Sequence, residues 1–114
     1  MNIVIGELDL TKDGTFDASG RATAFLGPER ASQLWRIKRV TVSTTSSTKT
    51  QCKLYRTAES PSRQLDNTPR GNSDTSEDNS YEFRTPEKLL AVWTGGTVGA
   101  VATLNIIGTI EAER

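Results

Sequence analysis

From Leu34 to Thr45 the chain reads LWRIKRVTVSTT, with apolar and polar residues alternating at the period of two that a half-buried strand requires. The alternation changes parity partway. Trp35 and Ile37 fall on one face, Val40 and Val42 on the other. Either a β-bulge near Lys38-Arg39 resets the register, or the two ends of the strand are covered on opposite faces, for instance by a neighbouring subunit.

The rest of the chain has the same texture, rich in Ser and Thr and punctuated by Gly, Asn and Asp. Met1–Leu10 alternates in part, with Ile3 and Ile5 on one parity and Val4, Leu8 and Leu10 on the other. Lys12-Asp13-Gly14 predicts a turn. Arg21–Leu26 reads as a strand between turns at Ser19-Gly20 and Gly27-Pro28. Pro28–Gln33 is the one stretch that predicts a helical turn, too short to stand as a helix. Ser46-Ser47 predicts a hairpin turn into Thr50–Arg56, with Cys52 and Leu54 inward. Tyr81–Arg84 places Tyr81 and Phe83 on one side, ahead of a turn at Pro86-Glu87. Leu89–Thr94 is nearly all apolar, as a central strand covered on both faces would be. After a turn at Gly95-Gly96, Gly99–Glu111 closes the chain with Ala102, Leu104 and Ile106 inward. About seven or eight strands at such spacing predict an all-β fold: a single-domain antiparallel β-sandwich, jelly-roll-like, over residues 1–114.

One segment breaks the pattern. Glu59–Ser80 has Leu65 as its only large apolar residue and predicts a single long polar loop. Burial of its own side chains would not offset the entropy of ordering it, so a partner is expected to hold it. As a contact arm, Leu65–Glu77 is expected to be removable with the sandwich still folded.

Composition narrows the function classes. The chain has 114 residues, 34% of them hydrophobic, and 14 basic side chains balance 14 acidic ones, so no net field favours nucleic acid or an anionic membrane. The N-terminal stretch lacks the basic and apolar regions of a signal peptide, and no run is long enough to span a bilayer, so a soluble protein made in a cytoplasm is expected. The single cysteine, Cys52, can form no internal disulfide and reads as a small buried hydrophobe. With no histidine present, the usual catalytic triads and zinc sites are not available.

Other candidates for chemistry have plainer readings beside them. Asp74, Glu77 and Asp78 cluster, but without the ligand spacing of a calcium loop they read as solvated charges. Trp35 and Trp93 could stack on sugars, yet both lie in apolar strands that favour core packing. Gly95–Gly99 lacks the Lys-Ser/Thr and the helix of a phosphate loop. In the polar segment Arg63 and Arg70 flank Asp66, with Asp74 beyond. Mixed charge of this kind suits either solvation or directional pairing with another chain, and these four are the candidate partner-contact residues. No catalytic, cofactor-binding or metal-binding residue is expected.

Three motifs carry a family likeness: Gly20–Thr23 (GRAT), Trp35–Ser43 (WRIKRVTVS) and Leu89–Gly96 (LLAVWTGG). With the segments between them, from Gly20 to Thr109, the chain resembles small virion-associated proteins of tailed phages that infect actinobacteria. The resemblance implies a structural component of the particle, of the capsid decoration or minor capsid type. Its implied partner is the major capsid protein, met on the outer surface of the virion. It further implies a homotrimer or another symmetric homo-oligomer, with no membrane and no direct nucleic-acid contact. A tail or head–tail junction protein of the same fold remains open, as does a glycan-binding module for host attachment.

Overall fold

A computed structural model describes residues 2–68, 70–76 and 81–113. Nine strands are found among them: β1 (Asn2–Thr15), β2 (Ala22–Leu26), β3 (Gln33–Thr44), β4 (Gln51–Arg56), β5 (Gln64–Thr68), β6 (Ser73–Ser76), β7 (Tyr81–Arg84), β8 (Leu89–Thr94) and β9 (Val101–Glu113). They form two antiparallel sheets packed face to face. One runs β1-β9-β3-β6, with β7 also on β3; the other runs β2-β8-β4-β5.

The pairings are nested. β1 pairs β9, β2 pairs β8, β3 pairs β6 and β7, and β4 pairs β5. The chain is therefore one long antiparallel ribbon, folded back at Thr57–Arg63 and then coiled into two layers. β6 and β7 lie on successive stretches of the same edge of β3, Val40–Ser43 and Leu34–Ile37, and act as one interrupted strand. Counted so, the order is that of an eight-stranded jelly roll. At the fold-back, Thr57 takes a left-handed conformation (φ 70°) and a 3₁₀ turn spans Pro61–Arg63.

The parity switch in β3 is a bulge. Its register against β9 shifts between Ile37 and Arg39, which puts Trp35, Ile37, Val40 and Val42 on the inner face together. Opposite the shift, Gly108 leaves room for the Arg36 carbonyl, which any Cβ there would strike. The core between the sheets is built from Phe16, Phe83, Trp93, Leu104 and Ile106, all essentially inaccessible. β8 is central as expected, flanked by β2 and β4, and Ala91, Val92 and Trp93 are all buried.

Three local expectations are corrected, and one is met. Glu59–Ser80 is not one long loop: the 3₁₀ turn, β5 and β6 occupy most of it, and residues 77–80 lie outside the described set. Backbone hydrogen bonding to β4 and β3 orders this segment from within the chain, in place of the apolar anchors it lacks. Lys12-Asp13-Gly14 is not a turn, because all three residues pair with β9, and long-range pairing outweighs the local preference. Pro28–Gln33 closes the single turn expected of it, from the Gln33 N–H to the Arg30 carbonyl. Ser46-Ser47 does not close a hairpin, since β3 and β4 lie in different sheets. It crosses between them, pinned to Thr97 by the Ser47 N–H (3.2 Å) and by the Thr97 N–H to Ser46 Oγ (3.0 Å).

Candidate functional site

The edge strands of the two sheets lie over one another on each side of the sandwich, which creates two seams. At the β1–β2 seam the layers touch where Gly14 meets the Thr23 backbone, an approach that a Cβ at residue 14 would block. Farther along they separate into a cleft of about 390 Å³. Leu10 and Lys12 of β1 overhang one wall, Phe25 and Leu26 of β2 form the other, and Trp35 of β3 closes the floor. The pairing explains the overhang. Leu10 and Lys12 sit opposite Ile106 and Leu104, so they share the inner face but project past the edge of the smaller sheet.

The cleft joins an apolar floor to a charged rim. Phe25 is half exposed, with Lys88 Nζ 4.4 Å from the centroid of its ring. Arg30 adds a third cation, and Glu29 is the one carboxylate in the lining. Trp35 is 7% exposed, and its Nε1 is a buried donor with no acceptor among the described residues. Such a group costs about 1–3 kcal/mol if left unsatisfied. Trp93 is the contrast: wholly buried, it donates its Nε1 hydrogen to the Gly71 carbonyl at 3.2 Å.

The β5–β6 seam, on the far side, gathers part of the sequence-derived set. Asp66 and Asp74 line one small pocket with Val42, Cys52 and Leu54. Both carboxylates are engaged locally, Asp66 by the Asn67 N–H (2.8 Å), Asp74 by the Thr75 N–H (2.9 Å) and the Thr68 hydroxyl. Arg63 is exposed at the ribbon tip, while Arg70 lies in the β5–β6 turn beside Lys49 and Asn72. The four candidates are thus dispersed: two share a seam, and the two arginines stand apart from it and from each other. The turn itself is tied inward, with the Gly71 N–H bonded to the Thr50 carbonyl and the Thr50 N–H to Asn72 Oδ1, each at 2.9 Å.

Cys52 lies beneath this second seam, fully buried. Burial pushes its thiol pKa up to about 12, and the Asp66 and Asp74 carboxylates add to the rise. A thiol so placed is a packing group, not a nucleophile. On the outer face of the larger sheet, Arg36 donates from Nε to Glu111 (2.8 Å) and from Nη1 to Glu82 (2.6 Å), and both bonds raise its pKa.

At the far end of β1 the chain exposes three consecutive apolar residues: Ile3 (40%), Val4 (60%) and Ile5 (54%). A register shift between Val4 and Gly6 makes Ile5 a bulged residue, so alternation does not hide it. β1 is an edge strand, with one side free of any partner strand among the described residues. Sequence reasoning marked this segment as a strand but missed the bulge. It also missed the cleft, whose lining comes from β1, β2, β3 and two connecting segments.

No family model matches the chain, and neither does any curated protein. Among solved structures there are similar ones. A mitogen from Yersinia pseudotuberculosis superposes with a TM-score of 0.52 at 12% identity, covering 87% of this chain and 84% of its own. The periplasmic inhibitor of g-type lysozyme PliG from Aeromonas hydrophila gives 0.44 at 12% identity, over 90% and 86%. The first likeness is one of fold alone.

Proposed function

We propose that this protein is a structural component of a phage particle that decorates the capsid and braces it by binding major capsid subunits. The observation that carries the proposal is the Ile3-Val4-Ile5 run on the free edge of β1. Apolar side chains beside unpaired strand edges are what a protein working by contact offers its partner. Strand addition at such an edge supplies main-chain hydrogen bonds, and the flanking apolar side chains supply burial. The family resemblance along Gly20–Thr109 agrees with this, as does the jelly-roll order, an architecture widespread in viral shells. Copies arranged as a trimer or another symmetric oligomer would add avidity to individually modest contacts.

Co-sedimentation with capsids stripped of the protein tests the proposal. Wild type is expected to pellet with the shells. Ile3→Asp combined with Ile5→Asp is expected to stay in the supernatant while keeping its fold, because both side chains are already solvent-exposed. Equal pelleting of the two proteins would remove β1 from the contact.

A further inference from the structure

We propose that the β1–β2 cleft is a binding site for an acidic peptide segment that inserts a bulky apolar side chain between Leu10 and Phe25, towards Trp35. Its rim carries Lys12, Arg30 and Lys88 against the single carboxylate of Glu29. None of the three cations is paired with a carboxylate among the described residues, whereas Arg21, Arg36 and Arg56 all are. That excess calls for an anionic occupant. The floor asks for something else, an apolar body to fill the space between Leu10, Phe25 and Trp35. A peptide bearing aspartates or glutamates beside a phenylalanine or leucine meets both demands, carboxylates for the rim and an apolar side chain for the floor.

A sugar fits less well. Pyranose rings stack on open aromatic faces, but Trp35 is 93% covered and Lys88 already sits over the Phe25 ring. The cleft volume, about 390 Å³, takes one or two large side chains, not an extended oligosaccharide. The position of the site adds a further argument. Both walls are edge strands, so a peptide lying in the seam has unpaired backbone beside it. This site stands apart from the Ile3–Ile5 contact, and either can fail without the other.

The test is a titration of ¹⁵N-labelled protein with a capped Asp-Phe-Asp-Leu-Asp peptide, following the indole N–H signals. The chain has only two tryptophans, so the readout is direct. The Trp35 signal is expected to shift and the Trp93 signal, held by Gly71 in the core, to stay. Replacing each Asp of the peptide by Asn, or combining Lys12→Glu with Lys88→Glu in the protein, should weaken binding by about tenfold or more, and added salt should weaken it too. An unshifted Trp93 signal in the charge-reversed protein reports that it is folded. A Trp35 signal that ignores the peptide overturns the proposal, as does equal binding of the Asn peptide or equal binding by the variant. A shift produced by oligogalacturonate but not by the peptide would make the site one for anionic glycans, and a shift with protein concentration alone would make it a self-contact; each overturns the peptide assignment.

Discussion

The indole of Trp93, in the centre of the core, donates to the carbonyl of Gly71, in the middle of the most polar stretch of the chain (3.2 Å). That bond fixes the β5–β6 turn to the core and gives a segment with one large apolar residue an anchor within its own chain. Gly71 is pressed against Thr50 and Cys52, and a Cβ there would come within 2.5 Å of Thr50 Oγ1 and 3.1 Å of the Cys52 nitrogen. Gly71→Ala should therefore destabilise the fold by about 1–3 kcal/mol in urea unfolding. Deletion of Leu65–Ser76 should abolish cooperative unfolding altogether, in contrast to the removable arm expected from sequence.

Gly108→Ala should be the most damaging of the conservative glycine substitutions. The added methyl would collide with the backbone carbonyl of Arg36, which cannot move without breaking the β3–β9 ladder. A loss of about 3 kcal/mol or more is expected, read as a lowered thermal midpoint. Gly6→Ala is the control, since nothing lies within 4 Å of a Cβ at that position.

Stability should fall on the alkaline side through Cys52. Its pKa is raised from 9.0 to about 12 in the folded protein, so the unfolded chain loses the thiol proton first. The folded state therefore holds its full advantage below about pH 9 and loses it progressively as pH rises towards 12. Cys52→Ala should flatten that part of the pH profile while lowering stability at neutral pH through the cavity it leaves. Native protein should react with a thiol reagent only as fast as it opens.

Arg36 and Glu111 form a charged pair with a largely buried carboxylate, the Glu111 side chain being 10% exposed and that of Arg36 31%. Arg36→Leu removes the Nε bond to that carboxylate and the Nη1 bond to Glu82, and should cost about 1.5–3 kcal/mol. Adding Glu111→Gln should recover part of the loss, because the buried charge is then gone. A double-mutant cycle in urea checks both numbers.

Much of this fold could be read from residue order. The all-apolar run of β8 announced a central strand, and the parity switch from Trp35-Ile37 to Val40-Val42 located the β3 bulge to within a residue or two. The polar segment was opaque for a physical reason. β5 and β6 are edge strands held mainly by backbone bonds to β4 and β3, and backbone bonding leaves no mark in side-chain hydropathy. Lys12-Asp13-Gly14 misled in the same way, its turn chemistry overridden by pairing with Leu104, Thr103 and Ala102. Asp66 and Asp74 were legible as a pair only by composition, and their meeting across a seam depends on the ribbon coiling. The cleft draws on residues from Leu10 to Lys88, a juxtaposition that no local window contains.

The proposed attachment to a phage shell through β1 can be checked by a density map of the purified particle at a resolution that separates strands. Regular copies of the jelly roll are expected on the shell lattice, with Ile3–Ile5 and the outer edge of β1 turned towards major capsid subunits. Density confined to the tail axis, or copies that face solvent with β1, would contradict it.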